Sequence, residues 1–164
     1  MAFSPCSRWL AVAGRHHRVE MWRLETERID FTYDSRHPAF QVQFHPAGKT
    51  LAIATSDGAV RFWDFQTGRS HIRFARKSDR SRTTVAFSSD GTRFVTASEQ
   101  DAVRLWDREY ERQLLTLAEG ADVSGLVSFS PCGRYIAAAC ANDIRVWKGG
   151  AGIAAHGPNS ARRD

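Results

Sequence analysis

Apolar residues recur along this chain in a short period nested inside a long one. In Phe40-Gln41-Val42-Gln43-Phe44, Thr83-Thr84-Val85-Ala86-Phe87 and Leu126-Val127-Ser128-Phe129 they alternate at period two, the mark of a strand with one buried face. Each segment runs into a tight turn: His45-Pro46-Ala47-Gly48, Ser88-Ser89-Asp90-Gly91 or Ser130-Pro131-Cys132-Gly133. The closing glycine supplies the positive φ such a reversal needs. A second strand follows, as in Leu51-Ala52-Ile53-Ala54, then a polar turn, Ser56-Asp57-Gly58, and a third strand, Ala59-Val60-Arg61-Phe62-Trp63. Fourth strands, weaker in pattern, are predicted over 27–33, 69–74 and 112–117. No segment carries a helical period, so the expected class is all-β.

The long period orders these strands into four units. Trp22, Trp63, Trp106 and Trp147 are spaced 41, 43 and 41 residues apart. Phe3, Phe44, Phe87 and Phe129 keep spacings of 41, 43 and 42, and Ala13, Ala54, Ala97 and Ala139 keep the same three. A register this steady is the signature of a repeat architecture.

These phrases resemble the WD40 repeat family over nearly the whole chain: Phe129-Ser130-Pro131-Cys132-Gly133, Ala54-Thr55-Ser56-Asp57-Gly58-Ala59-Val60-Arg61-Phe62-Trp63-Asp64 and Val103-Arg104-Leu105-Trp106-Asp107. The resemblance implies a β-propeller of consecutive four-stranded antiparallel blades around a channel. It also implies that each repeat spans the outer strand of one blade and three strands of the next. The expected repeats cover about 1–36, 37–77, 78–120 and 121–148, the last without its outer strand, and 149–164 reads as a flexible Gly/Ala-rich tail. Four units beginning almost on a first strand and ending on a third predict an open or partial propeller. Three readings stay open: a fragment of a longer propeller protein, a half-ring completed by another chain or by self-association, and a small closed ring.

The resemblance further implies a structural signature: Trp22, Thr55, Asp57, Trp63, Asp64, Ser98, Trp106, Asp107 and Trp147. In the family the tryptophan is locked by a Ser/Thr, an Asp and a loop His. Thr55, Asp57 and Trp63 supply three of these. In the third unit Ser98 and Trp106 are kept, but Gln100 stands where the Asp belongs, with Asp101 one place late. His37 is one residue off the usual position. With the lock so eroded, apolar packing is expected to hold the blades, with little help from a buried polar network.

Recognition is expected on the loops, which vary without disturbing the strands. The candidates are His16 and His17, then Gln100 and Asp101, then Asn142 and Asp143, all in turns between second and third strands. A further candidate is the basic stretch holding Arg76, Lys77, Arg80 and Arg82, preceded by Arg69, His71 and Arg73. Such a stretch suits phosphate, an acidic peptide tail or anionic lipid. A solvated loop in an arginine-rich chain explains it as well. Asp57 reads as a tryptophan-locking residue before a ligand contact. Trp9 reads either as a partner anchor or as a packing residue against the next blade.

Composition changes this picture little. The 164 residues are 42% hydrophobic and 25% charged, a globular balance. The net charge of +5 rests on arginine, since lysine occurs only at Lys49, Lys77 and Lys148. No apolar run approaches the ~20 residues of a membrane helix, and the first residues lack a secretory pattern. Cys6, Cys132 and Cys140 form no metal pair or disulfide framework, and read as reduced structural thiols. His16-His17 has no second ligand cluster, and no GxSxG, GxxxxGK[ST], HExxH or GxGxxG motif is present, so neither catalysis nor a metal or cofactor is expected. The expectation is a non-catalytic scaffold for other proteins or peptides, intracellular and cytoplasmic, with nucleus and cilium left open. Nucleic-acid or phosphate binding through 69–82 is the alternative.

Overall fold

The computed structural model describes residues 1–14, 16–74, 82–99, 101–109, 112–119, 123–140 and 143–149. The expected tail from 150 onward, together with Arg76, Lys77, Arg80, Gln100 and Asn142, lies outside the described residues. The chain divides into two compact units, Met1–Val85 and Ala86–Asp164.

The first unit holds two antiparallel meanders. One sheet runs β1 (Ala2–Phe3), β2 (Trp9–Ala13), β3 (Arg18–Arg23) and β4 (Arg28–Asp34); the other runs β5 (Ala39–Phe44), β6 (Thr50–Thr55), β7 (Val60–Asp64) and β8 (Ser70–Phe74). The second unit holds a sheet of β10 (Arg93–Ser98), β11 (Ala102–Asp107) and β12 (Gln113–Glu119), with β9 (Thr83–Phe87) on its edge. A last sheet of β13 (Val123–Phe129), β14 (Tyr135–Cys140) and β15 (Asp143–Lys148) has three strands among the described residues, as expected of an incomplete blade. No helix of the described residues is long and apolar enough to cross a membrane.

The first turn of each sheet is built by one residue column. Gly48, Gly91 and Gly133 have φ of 73, 72 and 69°, the region where a Cβ is disfavoured. Their N–H groups donate to His45, Ser88 and Ser130 carbonyls at 2.7, 2.9 and 2.8 Å. In the first sheet this place falls to Ser7, at φ 56°, whose N–H donates to Ser4 O at 2.9 Å.

The serine opening these turns is equally regular. Ser4, Ser88 and Ser130 hydroxyls accept from the N–H of Trp9, Arg93 and Tyr135 at 2.9, 3.0 and 3.0 Å. Ser88 also donates to Asp90 at 2.6 Å. Cys6 and Cys132 stand where Asp90 does, 3.4 and 3.3 Å from their serine hydroxyls. These two thiols are exposed and only Cys140 is buried, so the expectation of structural thiols fails for Cys6 and Cys132. They occupy solvated turn tips where no core reaches them.

Each unit has its own core. In the first, Val19 and Met21 of β3 lie in one cluster with Phe44, Leu51, Ile53 and Trp63 of the following sheet. Trp9 meets Phe31 at 5.5 Å and Phe65 at 5.9 Å, so it packs against the next sheet. In the second unit, Val103 and Leu105 of β11 cluster with Ile136, Ala138 and Trp147. The rule is the same twice: apolar residues three and one places before a tryptophan pack on the tryptophan row of the next sheet.

Candidate functional site

Four connections of the first unit meet at one end: the β2–β3 turn, the β4–β5 loop, the β6–β7 turn and the entry to β9. The contact begins with His17, held at φ 59°, whose Nδ1 lies 2.9 Å from Arg36 O. Ser35, buried beneath, has a hydroxyl whose one proton is shared between two acceptors, His17 O at 2.9 Å and His37 O at 2.6 Å. The N–H of Ser56 donates to Pro38 O at 2.9 Å, and Thr83 Oγ1 donates to Gly58 O at 3.2 Å. Backbone carbonyls of these loops are thus met mostly by polar side chains of neighbouring loops, which ties the loops together.

Asp57 is the centre of this frame. Its carboxylate accepts from Arg61 at 3.1 Å (Nη1 to Oδ1) and 2.6 Å (Nη2 to Oδ2), and lies 2.5 Å from Thr55 Oγ1. Arg61 Nη1 also donates to Thr55 Oγ1. His37 Nε2 lies 3.6 Å from Asp57 Oδ2, so the shifted histidine still reaches the aspartate. Burial opposes the charged form of Asp57. Hydrogen bonds from Arg61 and Thr55, together with the Arg61 charge, outweigh burial and hold the carboxyl well below the usual carboxylate range.

This corrects the expectation of little buried polar support. Arg61 is only 8% exposed, and a guanidinium so desolvated is tolerated only when paired and hydrogen-bonded. In the second unit Arg104 repeats the arrangement on Asp101, with Nη2 to Oδ1 at 3.1 Å. The late position of Asp101 is absorbed by a spacing of three residues to its arginine where Asp57 uses four. The signal was present in the sequence: Arg61, Arg104 and Arg145 each stand two residues before a repeat tryptophan, with Glu20 in that place in the first unit. A column of arginines on a strand reads as a solvated face until the aspartate beneath it is known.

The tryptophans take different partners from sheet to sheet. Trp106 Nε1 donates to Thr96 Oγ1 at 2.9 Å, two residues before the expected Ser98, while Phe94 stacks on its ring at 5.9 Å. Trp22 Nε1 donates to Glu20 at 3.2 Å. Trp63 is buried between Tyr33 at 5.3 Å and Phe65 at 6.1 Å, and Trp147 is buried in the second core. Asp64 caps the β7–β8 turn by accepting from the N–H groups of Gln66 and Thr67, both at 3.0 Å. Asp107 closes the matching turn through its N–H to Arg112 O at 2.9 Å.

Exposed side chains crown this frame. His16, His17, Arg18, Arg36 and Arg82 are exposed, with Arg82 over the Phe40 ring at 4.8 Å. A cavity of about 420 Å³ is lined by Val12, Gly14, His16, Arg18 and Glu20. Asp143, at the start of β15, is exposed. The basic segment divides between two ends of its sheet. Arg69 O accepts from Asp64 N beside the β7–β8 turn, whereas Arg82 adjoins Thr83, bound to Gly58 at the other. The five residues of β8 separate these ends by about 16 Å at ~3.3 Å per residue. Among the described residues no group of three or more His, Cys, Asp or Glu side chains is placed to hold a metal.

The chain is similar to WD40 domains and to a solved β-propeller. The family described as the anaphase-promoting complex subunit 4 WD40 domain matches residues 1–90, and the WD domain, G-beta repeat, matches 76–107 and 112–148. The spindle assembly checkpoint protein bub3 of Schizosaccharomyces pombe is 37% identical over 65 residues, 40% of this chain and 20% of that protein. The LST8 homolog of Drosophila melanogaster is 28% identical over 93 residues, 56% of this chain and 29% of that protein. The solved β-propeller domain of Cps50 (Swd1) from Myceliophteria thermophila superposes with a TM-score of 0.74 at 16% identity, covering 90% of this chain and 50% of that one. The chain therefore spans a fraction of the length of the relatives it matches. With the first family covering more than half of its residues and four repeat sheets in its structure, the chain belongs to the WD40 repeat family of β-propeller proteins.

Proposed function

We propose that this chain is a non-catalytic interaction module, a WD40 propeller segment that presents the loop end of its first unit to protein partners within a multiprotein assembly. The observation that carries the reading is the placement of His16, His17, Arg36 and His37 on a frame fixed by buried Ser35, Thr55, Arg61 and Thr83. Exposed side chains on a preorganised base lose little freedom on binding, which favours recognition. The relative named as a spindle assembly checkpoint protein supports an assembly role. The setting we propose is intracellular, where exposed Cys6 and Cys132 would stay reduced.

Cross-linking mass spectrometry on the chain in its cellular assembly tests this. Cross-links to partner proteins are expected to cluster on the loops around 16–18, 35–38 and 56–58. A double variant, His16→Ala and Arg36→Ala, which spares the His17 contact, should remove them without changing the thermal melt. Cross-links confined to the β1–β2 and β7–β8 turns would refute the assigned face.

The nucleic-acid or phosphate alternative has one favouring observation, Arg82 exposed beside Phe40 at this same end. Fluorescence anisotropy with labelled RNA decides it. Binding that weakens steeply with salt and is lost in Arg82→Ala would replace the protein-scaffold reading.

A further inference from the structure

The loop end of the first unit carries two exposed guanidinium groups, Arg36 and Arg82, and both stand on pinned backbone. Arg82 lies over the Phe40 ring at 4.8 Å, and Phe40 is 45% exposed. The strands bearing this pair are tied together by the residue after Phe40. The Gln41 amide donates from Nε2 to Val85 O at 3.1 Å and accepts at Oε1 from Val85 N–H at 2.9 Å. Thr83, next to Arg82, donates to Gly58 O at 3.2 Å. The loop bearing Arg36 is fixed in the same way, with His37 O bound to Ser35 and Pro38 O bound to the Ser56 N–H. Both guanidinium groups and the ring are thus placed before any ligand arrives, which lowers the ordering cost of binding.

The chemistry of this surface selects its partner. A guanidinium over an aromatic ring keeps its N–H donors at the rim of its plane, where a carboxylate takes two parallel hydrogen bonds. Among the described residues neither Arg36 nor Arg82 forms an ion pair. The carboxylates of this end are engaged elsewhere: Asp57 holds Arg61 and Thr55, and Asp34 accepts the Arg36 N–H at 2.9 Å. Arg36 and Phe40 are four residues apart, so their Cα atoms are separated by at most about 14 Å. An extended peptide spans that distance in about four residues, with side chains between for the ring. A nucleic acid fits less well. It carries a charge at every phosphate, whereas positive charge here is sparse and shares the surface with the exposed Asp34 carboxylate and an apolar ring. Arg82 also covers a face of that ring on which a base would stack.

We propose that Arg36, Phe40 and Arg82 form a seat for an acidic segment of a partner protein, an extended stretch with two carboxylates about four residues apart and an apolar side chain between them. Arg82 takes one carboxylate, Arg36 takes the other, and the exposed part of the Phe40 ring takes the apolar side chain. The inference rests on the interaction-module reading and adds to it the chemistry of the partner.

Fluorescence anisotropy on the full chain tests it with two labelled peptides. One bears two glutamates four residues apart with a leucine midway; the other carries glutamine in both glutamate places. The glutamate peptide should bind saturably, and the glutamine peptide about tenfold more weakly or worse. Arg36→Ala and Arg82→Ala should each weaken the glutamate peptide about tenfold. Arg82→Lys should weaken it too, because an ammonium keeps the charge and lacks the planar fork. This conservative variant reads the contact even where Arg82→Ala loosens its loop, and a thermal melt of each variant checks the fold. A parent chain that binds neither peptide, or binds both equally, overturns the proposal, as does an Arg82→Ala protein that binds like the parent. A labelled RNA that binds more tightly than the glutamate peptide and is lost in Arg82→Ala overturns it in favour of nucleic acid. Failure of the peptides alongside protein cross-links at 35–38 would sink the acidic seat and leave the module reading standing. Peptide binding without such cross-links would sink the assembly role alone.

Discussion

The guanidinium of Arg61 and the carboxylate of Asp57 face each other in a two-pronged contact, 3.1 and 2.6 Å long, on the protein side of an exposed turn. Arg61 comes from the middle of a sheet and Asp57 from the turn before it, so the pair ties loop to strand. Removing either partner has unequal consequences. Asp57→Ala strands a buried cation and should destabilise the first unit by about 3 kcal/mol. Arg61→Met removes the charge itself and should cost clearly less, and adding Arg61→Met to Asp57→Ala should recover part of the loss. Urea unfolding followed by tryptophan fluorescence measures all three, and losses of the two single variants that simply add in the double variant would contradict the pairing.

The same pair sets an acid dependence. The folded-state pKa of Asp57 is depressed, so the unfolded chain takes up the proton first as pH falls. Its stabilising contribution is complete above the ordinary carboxylate range, near pH 4, and is lost as pH falls toward the folded value. The stability difference between the parent and Asp57→Asn should be flat through neutral pH and shrink below about pH 4. A difference that grows on acidification would refute this.

Exposed Cys132 titrates early. The Ser130 hydroxyl, then the Arg134 backbone and side chain, lower its pKa to about 7, while burial pushes Cys140 up. Alkylation at neutral pH, read by peptide mass spectrometry, should label Cys132 well before Cys140. Ser130→Ala should move the half-maximal rate at Cys132 to higher pH; an unmoved profile would remove the hydroxyl from the account.

Ser7 is the odd member of its turn column, at φ 56° where three glycines serve elsewhere. Ser7→Gly relieves left-handed strain of about 1 kcal/mol, partly offset by the entropy glycine loses on folding. A small net gain is expected in thermal unfolding. Gly48→Ala, the reverse change in the second sheet, should destabilise by a comparable amount.

Thr96→Val leaves the Trp106 indole N–H without its acceptor while keeping shape. A loss of about 1 kcal/mol is expected. Ser98→Ala should leave the Trp106 fluorescence unchanged, and the opposite ranking would restore Ser98 as the tryptophan's partner.

The amino-acid sequence alone determined the strands, their grouping by four and the turns between them. Those features are local: period-two burial along each strand and positive φ at Gly48, Gly91 and Gly133 need no distant partner. The tertiary structure decided which side chains meet. Register places Arg104 opposite Thr96 and Trp106 opposite Phe94, and bulges at Val60/Arg61 and Leu105/Trp106 turn neighbouring positions, choices invisible in spacing. Hence Arg61 reads as a surface charge in the sequence and is buried on Asp57 in the fold. Hence, too, the ends of the 69–82 segment separate, because an extended strand carries Arg69 and Arg82 to opposite ends of one sheet. Ile144 and Val19 occupy one column; the sheet that follows makes Val19 core, while among the described residues no sheet covers Ile144.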